Sequence, residues 1–190
     1  MSHRFFLVAP SHLDAAAIIV CAQAACAAGD CASIIVPDTL KTEDVVALQD
    51  LGLAVFLSDV EPRIVSRLRA DGLHLNNLEH AIVDLRMSLP RDAMIGINAG
   101  VSRHLAMEAA EQGADYVAFN QKTQTTGEPL VKWWNELMEI PSVPFEAITP
   151  AELATMLPQK PDFIRPSDDM WASPADATRI IAAFGDTMPK

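Results

Sequence analysis

A chain of 190 residues, half of them hydrophobic and 21% charged, is long enough to bury one sizeable core. We therefore expect one domain over residues 1–190, with no sign of disorder, collagen repeats or a disulfide scaffold. The formal net charge of -11, from 14 basic against 25 acidic residues, argues against a nucleic-acid partner, because such binding rests on Lys and Arg neutralising phosphates. A small phosphorylated ligand would have to be held against that field by local donors such as helix N-termini. The opening apolar run, Phe5 to Ala9, lacks a small-residue cleavage site, and no stretch approaches the roughly 20 apolar residues of a membrane span. A cytoplasmic protein without a membrane partner is expected. Cys21, Cys26 and Cys31 match no zinc or redox spacing and read as buried or part-buried thiols.

Short runs rich in Val, Ile and Phe alternate with longer helical patterns along the chain. The strands are predicted at Arg4–Pro10, Ala32–Asp38, Leu53–Asp59, Gly72–Asn77, Met94–Ala99, Tyr116–Gln121, Val143–Ile148 and Asp162–Ser167. The helices between and after them are predicted at Leu13–Ala28, Thr42–Leu51, Glu61–Arg69, Leu78–Met87, Ser102–Gln112, Glu128–Met138, Pro150–Met156 and Pro174–Phe184. Each strand thus has its own crossover helix, which implies a parallel sheet covered on both faces. Eight such units favour closure into a small (β/α)8 TIM barrel, with an open α/β sheet held in reserve because the seventh helix is short and ends at Pro158. Gly29, Gly52 and Gly113 follow helices where a left-handed cap is wanted, and Thr42, Ser102 and Ser173 are N-cap candidates.

In a closed barrel the chemistry lies at the carboxyl ends of the strands and on the loops after them. Those ends offer, in order, Ser11 and His12, Asp38, Ser58 and Asp59, Asn76 and Asn77, Asn98, Asn120 through Lys122, Glu146, and Arg165 through Asp169.

Six segments in order resemble the thiamine-phosphate synthase family and its thiazole tautomerase relatives. They begin with Arg4-Phe-Phe-Leu-Val-Ala-Pro, Ala54-Val-Phe-Leu-Ser-Asp and Ala70-Asp-Gly-Leu-His-Leu. Ile95-Gly-Ile, Glu111-Gln-Gly-Ala-Asp-Tyr-Val-Ala and Ile140-Pro-Ser-Val-Pro follow. The resemblance implies a barrel that joins a pyrimidine pyrophosphate to a thiazole phosphate, releasing pyrophosphate, with Mg2+ bound to the diphosphate. Residue by residue, much of that pattern is replaced. The family's Gln-x-Arg-x-Lys after the second strand reads Ile35, Pro37 and Thr39, and its Ser-Thr-His at the fifth reads Asn98-Ala99-Gly100. Its Thr-x-Thr-Lys after the sixth reads Thr125-Thr126-Gly127-Glu128. The phosphate-cradling Gly-Gly at the seventh reads Glu146-Ala147, which adds bulk and a like charge, and of the Val-Ser after the eighth only Ser167 is kept. Carboxylates persist at the two magnesium positions, as Asp59 and Glu79.

The resemblance and the strand ends together name Ser58, Asn77, Asn98, Asn120, Lys122, Thr125, Arg165 and Ser167 as ligand-binding candidates, with Lys122, Glu146 and His12 as catalytic candidates. Each has a plainer alternative. Asp59 could cap the following helix, and Glu79 could be a solvated first-turn acid. Lys122, placed where some barrel aldolases carry a Schiff-base lysine, could be a solvated loop residue. Arg165 could form an anion site or pair with Asp168 or Asp169. His74, inside the fourth strand, reads as a hydrogen-bonded core histidine. On the sixth helix, adjacent Trp133 and Trp134 point about 100° apart, so one lies at the edge of the apolar stripe, where it could support a homodimer. The expected function is binding of a thiamine-related or other phosphorylated small molecule at the barrel mouth, with the pyrophosphate-releasing transfer weakened or lost. The alternatives are a non-catalytic metabolite-sensing or partner barrel and, third, a Schiff-base lyase using Lys122.

Overall fold

The computed structural model describes residues 4–120 and 127–187. Their elements run β1 (Arg4–Val8), α1 (Ala15–Ala28), β2 (Cys31–Val36), α2 (Thr42–Gln49), β3 (Ala54–Ser58), α3 (Pro62–Leu68), β4 (Gly72–Leu75) and α4 (Ile82–Ser88). The second half runs β5 (Met94–Asn98), α5 (Arg103–Glu111), β6 (Tyr116–Phe119), α6 (Leu130–Leu137), β7 (Ser142–Pro144), α7 (Leu153–Met156), β8 (Phe163–Ile164) and α8 (Pro174–Thr187). All strand pairs are parallel, and the sheet order β7-β6-β5-β4-β3-β2-β1-β8 brings β8 back to β1 through Arg4↔Phe163 and Phe5↔Ile164. On the other side the ring is nearly closed by a bridge between Ile148 and Pro166, where the Ile148 N–H donates to the Arg165 carbonyl at 3.0 Å. The expected (β/α)8 TIM barrel is present, and the open-sheet reserve is not needed.

The last two units are the thinnest. Pro141 and Pro144 have no N–H for the ladder, and β7 contracts from the predicted Val143–Ile148 to Ser142–Pro144, while β8 keeps only Phe163–Ile164 of Asp162–Ser167. Two local expectations are corrected. Gly29 has extended backbone at φ -166; it is small because a Cβ there would meet Ile181 at 2.6 Å and Phe5 at 2.9 Å, where α8 closes on β1. Thr42 is the first residue of α2, its hydroxyl donating to the Arg67 carbonyl, and the Asp44 carboxylate takes the Lys41 N–H at the helix entrance. Ser102 and Ser173 do cap, each accepting an N–H three residues on, and Gly52 and Gly113 adopt φ +86 and +92.

Period-2 alternation divides the strand side chains into two cores. Outward residues such as Leu7, Ile34, Val55, Leu57, Leu73, Ile95, Ile97 and Val117 pack under the helices. Inward residues Phe6, Ile35, Phe56, Tyr116, Ala118 and Val143 fill the barrel, with Met94, Phe145 and Phe163 against them. The sixth helix resolves its two tryptophans. Trp134 is fully buried, its indole N–H donating to the Ile140 carbonyl at 2.7 Å, whereas Trp133 is half-buried under the Arg103 guanidinium at 4.5 Å from the ring centroid. The cysteines are free, with Cys21 and Cys31 buried and Cys26 part-buried.

Candidate functional site at the barrel mouth

The site is organised around a glycine. Gly96 on β5 pairs laterally with His74 on β4 and with Tyr116 on β6. A Cβ at Gly96 would lie 1.9 Å from the Tyr116 ring, so the absence of a side chain lets the phenol cross β5 and reach His74. The Tyr116 hydroxyl and His74 Nδ1 are 2.7 Å apart, and both residues are buried. Phe145 stacks on the imidazole with centroids 4.9 Å apart and planes at 15°. Burial pushes the His74 pKa down to about 4, with Asp59 opposing the shift and Arg165 adding to it, and burial also raises the Tyr116 phenol. His74 is therefore neutral at pH 7.

Its tautomer follows from counting protons. If Tyr116 donates to Nδ1, only the Nε2–H of His74 is left without a partner, whereas the reverse leaves both the phenol hydrogen and the Nε2 lone pair unmet. An unmet buried group costs about 1–3 kcal/mol, so the first arrangement is favoured. Among the described residues Nε2 has no hydrogen-bond partner, and the ring lines a cavity of about 300 Å³ at the mouth. Val8, Ala9, Ile35, Pro37 and Phe145 form its apolar walls, and Ser11, Ser58 and Asn76 supply polar groups. His74 thus conforms to the expected hydrogen-bonded core histidine along one edge and is unpaired, though buried, along the other.

Alternation places Ser58, Asn76, Asn98, Asn120 and Arg165 one step above this layer, facing inward. Asn76 donates to Ser58 Oγ at 3.0 Å and to the Asp59 carboxylate, which also accepts the Asn76 N–H at 2.9 Å. Asp59 is held at φ +49, a left-handed conformation uncommon for a side-chain-bearing residue. It does not cap α3, whose N-cap is Glu61. Asn98 turns its Oδ1 to the Gly100 N–H at 3.0 Å. Asn77, one residue past Asn76, faces the outside of β4, where it and Glu79 bond each other through an amide-to-carboxylate contact of 3.3 Å and a Glu79 N–H donation of 3.1 Å. His12 is exposed in the turn after β1, and Glu146 lies half-buried in the bend after β7. Lys122 and Thr125 fall outside the described residues.

Arg165 is enclosed, its side chain 16% exposed. Nη1 donates to the Phe145 carbonyl at 2.7 Å, Nη2 meets both Asp168 oxygens at 2.9 and 3.1 Å, and the guanidinium lies 5.2 Å from the Phe145 centroid. Other cations at this end are also engaged: Lys41 pairs with Glu43, Arg63 with Glu61, and Arg103 covers Trp133. The loops after β7 and β8, where barrels of this type seat phosphates, are closed by the chain's own carboxylates. Glu152 accepts the Thr149 N–H at 2.7 Å and its hydroxyl at 3.0 Å. Ser167 Oγ accepts the Asp169 N–H and donates to the Asp169 carboxylate. Sequence patterns had pointed to Arg165 and Ser167, with Asp168 or Asp169 as the alternative partner of Arg165, but not to Glu152, nor to Tyr116 and Phe145, which fell inside predicted strands.

The carboxylates that would hold magnesium, by the family resemblance, are Asp59 and Glu79. Among the described residues no group of three or more His, Cys, Asp or Glu side chains is gathered for a metal. Asp59 is bonded to Asn76, and Glu79 to Asn77. An Mg2+ held by two carboxylates takes further oxygens from water and a bound diphosphate, and the positions that would grip a diphosphate are Ile35, Pro37 and Thr39.

The fold and this mouth define a parallel (β/α)8-barrel protein with a small-molecule cavity at the C-terminal ends of its strands. The sequence profile of the thiamine monophosphate synthase family matches residues 5–164, and the chain belongs to that family. It is 33% identical to a thiamine-phosphate synthase of Rhodospirillum centenum over 97% of both chains, and 30% identical to one of Hyphomonas neptunium over 97% of this chain and 95% of the other. Its fold superposes on a thiamine phosphate pyrophosphorylase from Pyrococcus furiosus with a TM-score of 0.77 at 16% identity, covering 97% and 94% of the two chains. Among the described residues, no helix is long and apolar enough to cross a membrane.

Proposed function

We propose that this protein binds a thiamine-related or other phosphorylated small molecule at the barrel mouth, with the ring end of the ligand over His74, and that the pyrophosphate-releasing C–N transfer is weakened or lost. The observation that carries the loss of transfer is the occupation of the phosphate-seating loops by Glu152, Asp168 and Asp169, together with the engagement of Arg165; the family membership supports the ligand class. Transfer of this kind depends on positioned donors that stabilise a departing diphosphate. Here the inward layer above His74 is largely neutral amide and hydroxyl, suited to orienting a ligand rather than to absorbing developing negative charge. Ser58, Asn76, Asn98 and Asn120 are the ligand-orienting residues in this reading. A barrel that senses the metabolite without turning it over rests on the same observation.

The test is paired. Thermal-shift titration with pyrimidine pyrophosphate, thiazole phosphate, thiamine phosphate and pyrophosphate, Mg2+ present, reads binding; a ligand at 100 times its Kd adds roughly 2.7 kcal/mol. Product formation from the first two compounds reads turnover. Binding with little or no turnover is expected, and rapid thiamine phosphate formation sinks the proposed loss. If none of the four compounds shifts the melting temperature, the ligand class is wrong. Asp168→Asn, which loosens the hold on Arg165, should strengthen binding of the phosphorylated compounds.

A further inference from the structure

A second cavity lies away from the mouth. About 510 Å³ of space lies on the outer side of β4, between α3 and α4, within the roughly 300–1,000 Å³ typical of small-molecule sites. Leu73, Leu75 and Leu85 form its floor. Because His74 and Asn76 face the barrel interior, alternation turns Leu73 and Leu75 the other way, so this cavity and the mouth lie on opposite faces of one strand.

Its rim is mainly acidic, with His80 beside the acids. Asp59, Glu61, Glu79 and Asp84 surround the opening, and none of the residues lining it is Lys or Arg. Glu61 is neutralised by Arg63 at 2.6 Å. Asp84 is exposed, and no hydrogen bond or ion pair reaches its carboxylate from the described residues. The cation on α4, Arg86, is turned to the far end of the helix, donating to Asp115 and to the carbonyls of Ala93 and Gly113. Carboxylates beside an apolar concavity are screened less than those on an open surface, so the field there favours positive ligands and repels phosphates. The acids are too dispersed to gather on a metal, and the leucine floor offers no oxygen ligands.

We propose that this outer cavity binds a small organic cation, a protonated or quaternary nitrogen on a flat apolar body. The apolar part rests on Leu73, Leu75 and Leu85, and the charge lies toward Asp84 and Glu79. The site shares the Asp59 carboxylate with the mouth, while its leucine floor and Asp84 lie on the opposite side of β4.

The probe is benzamidinium, with benzamide as its neutral counterpart of nearly the same shape. Backbone amide NMR of the full chain should show saturable shifts confined to α3, α4 and residues 77–80 for benzamidinium, with benzamide binding about ten-fold more weakly. Asp84→Asn should lower benzamidinium affinity several-fold. Ser88→Trp, an exposed position at the rim, should fill the space and abolish the shifts while the melting temperature holds. Equal binding of the two probes, shifts that map to the mouth, or unchanged affinity in both variants would overturn the proposal. So would a concentration-dependent dimer in sedimentation that protects α3 and α4 and excludes the probe, since the occupant would then be a second copy of the chain.

Discussion

At the N-terminal end of the barrel, Asp71, Asp115 and Asp162 each precede an even-numbered strand and reach back to an N–H near the start of the odd strand before it. They accept from Val55 at 2.7 Å, Ile95 at 2.6 Å and Ser142 at 2.8 Å. Asp71 and Asp115 also donate their own N–H to the carbonyl of the same partner residue, and Asp30, before β2, binds the Arg4 guanidinium instead. At the C-terminal end the pattern differs: among the described residues the buried Nε2 of His74 has no partner, one aspartate is left-handed, and loop carboxylates satisfy their own neighbours. The closed end uses acids to finish backbone ladders; the open end is where we propose that the ligand sits. Substitutions at the first should therefore change stability with little effect on binding, and substitutions at the second the reverse.

The largest effect is expected where the two ends meet, at Gly96. Gly96→Ala drives a methyl into the Tyr116 ring and should cost about 3 kcal/mol through overpacking, read as a lower urea midpoint, and should displace His74 as well. A stability loss near zero would mean that the Tyr116 ring has another place to go. Next, Asp115→Ala leaves the Ile95 N–H unmet and strips Arg86 of its acid, for a loss of about 2 to 3 kcal/mol. Ligand binding at the mouth should stay unchanged; a large drop in affinity would break the division of labour between the ends.

A pH titration sharpens the comparison from the other side. With the His74 pKa pushed down to about 4 by burial, neither state binds this proton well above pH 6.5. As pH falls below that, the unfolded chain takes up a proton that the fold refuses, and stability declines by roughly 1.4 kcal/mol per pH unit until about pH 4. Chemical denaturation of the wild type and His74→Asn at several pH values should show a shallower slope for the variant; parallel slopes would place the imidazole in contact with solvent. The smallest effect belongs to Asp59→Asn. Asparagine tolerates the left-handed conformation, so stability should change by less than about 0.5 kcal/mol, while losing a carboxylate beside Ser58 and Asn76 alters the mouth. A loss above 1 kcal/mol would make Asp59 a structural residue like those at the closed end.

The eight-unit order and the closed barrel were legible in the chain because parallel strands, buried on both faces, write themselves as apolar runs separated by amphipathic stretches. The family resemblance, and the loss of its diphosphate-gripping residues at Ile35, Pro37 and Thr39, were legible for the same local reason: each motif is contiguous. What closure of the barrel decided is pairwise and distant. Residues 74 and 116 meet across Gly96, Arg165 reaches back to the Phe145 carbonyl, and a one-residue difference puts Asn76 in the mouth and Asn77 outside it. Local periodicity sets which face of a strand is buried; only the register and curvature of the closed sheet determine which side chains share that interior, and so which of its polar groups remain open to a ligand.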